Sequence, residues 1–313
     1  MYDPFEPGQH DVRTRAVEAA DAARNRLFPC VIWRPDGINA RAPFPLIVFS
    51  HSSGGDRRSA SFLCSHLASH GYVVAAMDHS ELVAAELAPA ADESAEQRKA
   101  RVDAVVASRV PDVRFLIDHM LGAGLDVDAG KIGLVGHSFG GWTVLAVPET
   151  DARVGSVVAM GPGGSSHPRP GILPLSLTFA WGREVPVLYL AAEDDVPIPL
   201  DGVRELFDRT PGATRMFVLR RADHQHFIDD VEGEHEALRA MTLPGDAAWI
   251  PAAMRPMSEL CPAAQAHDFV RGLTLAHLDA TLRGSHAAQR FLAAGADAAL
   301  AARGVDAAEQ PGC

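Results

Sequence analysis

Lys-Ile-Gly-Leu-Val-Gly-His-Ser-Phe-Gly-Gly, residues 131–141, is the stretch that decides the fold. A short apolar segment in it runs directly into Gly136-His137-Ser138-Phe139-Gly140, which fits the Gly-x-Ser-x-Gly pattern of a nucleophile elbow. In that pattern the serine occupies a tight turn between a strand and a helix, and the glycines leave room for the sharp bend. The stretch predicts that Ser138 is an exposed nucleophile at the edge of a sheet; a purely structural turn is the alternative.

A serine nucleophile of this kind needs an acid and then a histidine later in the chain. Residues 185–192 have the pattern of a buried parallel strand, and Asp194 and Asp195 follow at its carboxyl end, where such sheets present their chemistry. We select Asp195 because its spacing from Glu193 and Pro199 is typical of acid loops in this type of fold. Asp194 is the alternative, and capping of the next helix is the non-catalytic interpretation.

The predicted base follows the next strand, residues 214–220. His224 lies closest to the end of that strand, and His226 is the alternative. Because the chain contains 14 histidines, position after a strand rather than residue type selects His224. Asp195 would hold the imidazole Nδ1–H, which leaves Nε2 to take the serine proton.

Two backbone N–H groups are expected to stabilise the oxyanion that develops during attack. One belongs to Phe139, at the start of the helix after the elbow. The other is expected in His51-Ser52-Ser53-Gly54-Gly55, which follows an early strand at 45–50. We predict the N–H of Ser53, with that of Ser52 as the alternative; a tight structural turn explains the glycines equally well.

These segments resemble the platelet-activating-factor acetylhydrolase and dienelactone-hydrolase-like branch of the α/β-hydrolase superfamily. The matching segments are residues 48–55, 67–79, 136–141 and 224–227. The resemblance spans residues 12–230 and implies a Ser-His-Asp carboxylester hydrolase that needs no metal or other cofactor. At the oxyanion loop, His51 matches the family's usual His-Gly-Leu-Gly, whereas Ser52 departs from its glycine. True dienelactone hydrolases use a cysteine where this chain has Ser138.

The predicted fold class is α/β: a mostly parallel, twisted sheet of about eight strands with helices on both faces, forming one α/β-hydrolase domain over residues 1–313. The predicted strands are an antiparallel pair at 11–18 and 26–33 and a parallel core at 45–50, 72–78, 131–136, 154–160, 185–192 and 214–220. The predicted helices are 58–70, 101–121, 139–147, 200–209, 266–283 and a tail at 287–303, with a frayed end at 310–313.

Composition indicates which classes of partner to expect and where in the cell the protein is located. The net charge of −12 argues against nucleic acid and anionic membrane surfaces. The sequence has no apolar run long enough to span a membrane and no leader pattern in its first 30 residues, so a cytoplasmic location is expected. Four widely spaced cysteines fit reduced thiols; a bridge between Cys261 and Cys313 is the alternative. The oligomeric state is not predicted.

Two insertions are expected to shape the substrate site. Residues 80–100 form either a covering helix or a solvated excursion, and residues 229–265 form either a lid over Ser138 or a satellite apolar cluster at the sheet edge. The candidate pocket residues are His51, Ser52, His137, Trp181 and Trp249.

The sequence therefore predicts hydrolysis of small to medium acyl esters through an acyl-enzyme on Ser138. The same triad would also serve a lipase, a phospholipid acetylhydrolase, a polyester hydrolase, a peptidase or a thioesterase. Polyester cleavage is less favoured because residues 161–166 lack an aromatic side chain. The alternative of another class is a non-catalytic, ligand-binding α/β-hydrolase scaffold.

Overall fold

The computed structural model describes residues 2–36 and 43–310. Within these residues nine strands form one mixed sheet in the order β1-β2-β4-β3-β5-β6-β7-β8-β9. The strands are β1 (Asp11–Asp21), β2 (Arg26–Asp36), β3 (Phe44–Ser50), β4 (Val73–Met77), β5 (Val127–His137), β6 (Val154–Met160), β7 (Val187–Ala192), β8 (Thr214–Leu219) and β9 (Ala307–Gln310).

Strands β3 to β8 run parallel, whereas β1 and β2 at one edge and β9 at the other are antiparallel to their neighbours. Every residue of β3, β4 and β7 is buried. Such unbroken apolar runs fit strands that are covered on both faces.

The helices are α1 (Ser61–Ser69), α2 (Ser80–Val83), α3 (Ala95–Gly122), α4 (Phe139–Ala146), α5 (Leu200–Arg209), α6 (Val231–Ala240), α7 (Ile250–Ala253), α8 (Ala263–Thr281), α9 (His286–Ala294) and α10 (Ala296–Ala302). No helix in the described ranges is long and apolar enough to cross a membrane.

Alternate side chains of β3 enter two separate apolar cores. Leu46 and Val48 belong to the core that contains the buried residues of α3, α4 and α5, whereas Ile47 and Phe49 belong to the core formed with α1 and α8. This alternation follows from the period of two along a strand. Helices thus cover both faces of the sheet, and the predicted α/β-hydrolase fold is confirmed.

Several boundaries differ from the prediction. Helix α3 begins six residues early because Ser94 and Gln97 form a capping box at its start. The alanine-rich tail is broken at Gly295 into α9 and α10. The predicted frayed end at 310–313 begins inside a strand, because Gln310 pairs with Met216 as the last residue of edge strand β9, so the prediction is wrong for Gln310. Residues 311–313, including Cys313, lie outside the described residues; Cys261 is buried.

Candidate active site

Ser138 stands at the sharp turn between β5 and α4. Its backbone has φ 58° and ψ −115°, a conformation that costs energy for a residue with a side chain. The turn is fixed from both sides, because the Ser138 N–H donates to the Met160 carbonyl at 2.9 Å and the Gly163 N–H donates to the Ser138 carbonyl at 3.3 Å. The serine is thus held in a strained position by the neighbouring strand β6 and the loop that follows it.

The two glycines of the elbow occupy positions where a side chain would clash with the backbone. A Cβ at Gly136 would lie 2.2 Å from the Gly140 carbonyl oxygen, and a Cβ at Gly140 would lie 2.0 Å from the Ser50 carbonyl oxygen. Both contacts are with backbone atoms, which no side-chain rotation can relieve. The Gly-x-Ser-x-Gly pattern therefore has a direct steric cause here.

His224 joins Ser138 to Asp195 in one hydrogen-bonded chain. Its Nε2 lies 2.8 Å from the Ser138 Oγ, and its Nδ1 lies 2.8 Å from the Asp195 Oδ2. A carboxylate only accepts, so Nδ1 carries the proton and Nε2 accepts from the serine hydroxyl. The other Asp195 oxygen accepts from the Ile198 N–H at 2.7 Å, which fixes the carboxylate.

The pKa of His224 is raised above its ordinary value. Burial of the ring lowers the pKa, but the charge of Asp195 and the hydrogen bond to it outweigh that effect. His224 lies at the start of a 3₁₀ turn, His224–Phe227, directly after β8 and its short connection. The three residues selected from the sequence therefore meet at the carboxyl ends of β5, β7 and β8.

The two alternative residues face elsewhere. His226 is fully buried and contacts backbone: its Nδ1 accepts from the Asp223 N–H at 3.0 Å, and its Nε2 lies 3.1 Å from the Cys261 carbonyl. Burial lowers the pKa of His226 to about 4. Asp194 forms an ion pair with Arg255 at 3.0 Å, toward the surface.

Asp223 is a buried carboxylate that the sequence did not single out. Its Oδ1 accepts from two backbone N–H groups, that of Val196 at 2.9 Å and that of His224 at 2.6 Å. One side chain thus ties the residue after Asp195 to the backbone of His224. Burial and the nearby charge of Asp195 raise the pKa of Asp223.

His137, the variable residue of the elbow before the serine, lies behind His224 and not on an open surface. It is buried, and its ring centroid is 4.7 Å from that of His224 and 5.4 Å from that of Phe227. Burial lowers the pKa of His137 far below its ordinary value, which disfavours the charged ring. A substrate-pocket role, which the sequence suggested, does not fit this packing.

The loop after β3 lies against the start of α4. His51 is buried; its Nδ1 is 2.7 Å from the Ser52 carbonyl and its Nε2 accepts from the His79 N–H at 3.2 Å. His51 therefore holds the loop from within, and these contacts do not support the pocket role suggested for it. Ser52 is half-buried and Ser53 is exposed. Phe139 is the first residue of α4, so its N–H is one of those that a helix leaves without a partner inside the helix.

The two candidate pocket tryptophans lie in different surroundings. Trp181 is buried in the apolar core, where its indole N–H donates to the Leu145 carbonyl at 3.2 Å, so the structure does not support a pocket role for it. Trp249 is half-buried and donates to the Pro170 carbonyl at 3.1 Å.

The segment at 229–265 packs on the acid loop. Ile250 and Met254 form a small apolar cluster with Val196, the residue that follows Asp195. This satellite cluster was the alternative to a lid, and closure over Ser138 stays a prediction. Residues 80–100 contain α2, a 3₁₀ turn and the first residues of α3.

Comparisons with known proteins support the resemblance seen in the sequence. A family model described as platelet-activating factor acetylhydrolase, isoform II, matches residues 31–109. The platelet-activating factor acetylhydrolase of Cavia porcellus is 30% identical, with 59% of this chain and 48% of that protein covered. The Bos taurus protein of the same name is 27% identical at the same coverage. The chain thus spans about half the length of the curated relatives it matches.

A solved structure of another protein is similar to this fold over a larger part of the chain. A ferulic acid esterase from Streptomyces cinnamoneus superposes with a TM-score of 0.65 at 24% identity, covering 90% of this chain and 93% of that one. At this identity the similarity establishes the fold. Fold and sequence matches together agree with the resemblance of this chain to the platelet-activating factor acetylhydrolase and esterase branch of the α/β hydrolases.

Proposed function

We propose that the protein is a serine esterase that hydrolyses carboxylic esters through an acyl-enzyme on Ser138. The observation that carries this proposal is the continuous chain of two 2.8 Å hydrogen bonds from the Ser138 Oγ through His224 to Asp195. A serine hydroxyl is a weak nucleophile until a base removes its proton, and this chain provides the base together with the group that orients it.

In the proposed first step, His224 Nε2 takes the hydroxyl proton as the Ser138 Oγ attacks the ester carbonyl. The resulting imidazolium lies against the Asp195 carboxylate, which stabilises its charge and keeps the ring orientation. His224 then gives the proton to the leaving alcohol, and an acyl group remains on Ser138. Water activated by the same imidazole releases the acid in the second half of the cycle.

The negative oxygen that forms in each half-reaction is proposed to accept from the N–H groups of Phe139 and Ser53. Phe139 supports this role because it is the first residue of α4, where unpaired N–H groups and the helix dipole favour an anion. Ser53 supports it because it belongs to the loop after β3, and the carbonyls of Ser50 and His51 at the start of that loop lie against Gly140 in the same turn. Ser52 is the alternative donor on that loop.

Short acyl groups are the first substrates to test. The curated relatives are named acetylhydrolases and the structural neighbour a ferulic acid esterase, and all of these names describe ester cleavage. Phospholipid and polyester substrates are proposals of lower rank. Residues 161–166 lack the aromatic side chain that would favour a polyester, and the family model matches only residues 31–109.

Comparing the turnover of esters and anilides of the same acids tests the proposed function. Initial rates with p-nitrophenyl esters from acetate to palmitate and with p-nitroanilides of the same acids separate an esterase from a peptidase. We expect ester turnover that declines for the longest chains and little anilide cleavage. Ser138→Ala is the control, and it should remove several orders of magnitude of kcat.

A non-catalytic scaffold gives the opposite result. Such a protein would be folded and would show no turnover above that of the Ser138→Ala variant with any ester. A folded wild-type sample with that behaviour would refute the proposal.

A further inference from the structure

Arg109 is a fully buried arginine in the middle of α3, 0 % exposed, and the steps proposed above do not use it. A buried guanidinium is costly unless its donors are paired. Glu81 on α2 pairs with its Nε and Nη2 groups, which neutralises the charge. The remaining donor capacity of the guanidinium is directed at the loop after β3.

Arg109 binds the backbone of that loop at two successive carbonyls. Its Nη1 donates to the His51 carbonyl at 2.8 Å, and its Nη2 lies 3.5 Å from the Ser52 carbonyl. In a trans peptide the C=O and the N–H of the same unit point in opposite directions. Carbonyls turned toward Arg109 therefore turn the N–H groups of Ser52 and Ser53 away from it.

The same guanidinium contacts the other half of the proposed oxyanion hole. Its central carbon lies 4.1 Å from the ring centroid of Phe139, a cation–π contact. Phe139 opens α4 and carries the other proposed donor. One side chain thus touches both segments whose N–H groups must converge on a single oxygen.

The orientation of the Ser52 carbonyl is reinforced by its own loop. It lies 2.7 Å from His51 Nδ1 and accepts from the Gly55 N–H at 3.2 Å. Because the His79 N–H donates to His51 Nε2, the His51 proton resides on Nδ1 and can be donated to Ser52. Arg109 closes this network on the side of α3.

We propose that Arg109 is a positioning residue that holds the loop after β3 and the first turn of α4 in the arrangement that forms the oxyanion hole. The inference rests on the serine-esterase function proposed above. Arg109 acts through the donors and not on the substrate itself. Its loss should therefore affect the transition state and leave ester binding and the base His224 unchanged.

The test compares Arg109→Met and Arg109→Lys with Arg114→Met, which removes a half-exposed arginine from the same helix. We expect Arg109→Met to lower kcat for p-nitrophenyl acetate about tenfold to a hundredfold, because an oxyanion donor is displaced and not deleted.

The KM of Arg109→Met and the midpoint of the acid limb of its pH profile should stay unchanged. Inhibition by phenylboronic acid, which forms a tetrahedral adduct on serine, should weaken by the same factor as kcat. The kcat of Arg109→Lys should lie between those of the wild type and Arg109→Met, and the kcat of Arg114→Met should match that of the wild type.

Amide hydrogen exchange at residues 51–55 provides a readout that does not depend on activity. Faster exchange confined to this segment in Arg109→Met supports the proposal; unchanged exchange together with unchanged kcat, or a rise spread evenly over the chain, overturns it. If Arg109→Met does not fold, Arg109→Lys decides by the same criteria. Absence of turnover in the wild type would refute the proposed esterase function, while the exchange data would still decide whether Arg109 holds the loop.

Discussion

Gly140 packs against the backbone of Ser50 so closely that a Cβ at Gly140 would lie 2.0 Å from the Ser50 carbonyl oxygen. Ser50 ends β3, and Gly140 belongs to the first turn of α4. The contact therefore sets how near the loop after β3 comes to the elbow that carries Ser138.

Gly140→Ala should disrupt this junction. The added methyl group meets a backbone oxygen, so either β3 or α4 must move, and we expect a large drop in Tm together with loss of esterase activity. Gly122→Ala at the end of α3 is the matched control. A Cβ there meets no atom within 4 Å, and its stability should change by no more than about 1 kcal/mol. Equal Tm values for the two variants would contradict this account of the elbow.

Ser138→Gly should be more stable than Ser138→Ala. Both substitutions remove the hydroxyl, but only glycine adopts φ 58° without steric cost. Strain of about 1–3 kcal/mol is relieved, and the greater freedom of glycine in the unfolded chain returns about 0.5–1 kcal/mol of that gain. We expect a net difference of about 1 kcal/mol in urea denaturation. A less stable glycine variant would show that the turn is unstrained.

The acid limb of the pH profile should report His224. The base must be neutral to take the serine proton, so activity falls as pH drops through its pKa. Because that pKa is raised above the ordinary 6.5, the midpoint of the limb in kcat/KM should lie above pH 6.5. Asp195→Asn removes the charge that raises the pKa, and the residual activity should show a midpoint at lower pH. A midpoint that does not move would argue against Asp195 as the partner.

Asp223→Ala should lower kcat without removing the triad. The substitution frees the Val196 and His224 N–H groups from their common acceptor, so the acid and the base lose a shared support. We expect about a tenfold loss of kcat, as for small displacements of positioned catalytic groups. Asp223→Asn keeps an oxygen acceptor and should retain most of the activity. Equal losses in both variants would point to the charge of Asp223 and not to its hydrogen bonds.

The sequence was most informative where chemistry and sterics leave few choices. The elbow, the acid and the histidine each follow a buried strand, so their order and position predicted the chain that the structure brings together. The core strands were found for the same reason, because residues buried on both faces form unbroken apolar runs. Edge strand β9 was missed because Ala307–Gln310 carry no such pattern and are held by backbone pairing with β8.

Residues that act through long-range contacts were not predictable. Arg109 belongs to no motif that the sequence shows, and its burial depends on Glu81 and on a loop 58 residues away. The sequence partly indicates the role of Asp223, because an acid three residues before His226 has the spacing of a capping box. The burial of Trp181 in the apolar core was not predictable, because an aromatic residue before the acid strand fits a pocket wall and a core position equally well.

Covalent labelling tests the central claim most directly. The wild-type protein is incubated with a fluorophosphonate probe, and the adduct is located by peptide mass spectrometry. We expect one adduct on Ser138, slow labelling in His224→Ala, and near wild-type labelling in folded His226→Ala. The reason is that His224 contacts the serine hydroxyl, whereas His226 contacts the backbone of Asp223 and Cys261. A folded wild-type sample without an adduct at Ser138, or with labelling that depends on His226 and not on His224, would contradict the assignment of Ser138, His224 and Asp195.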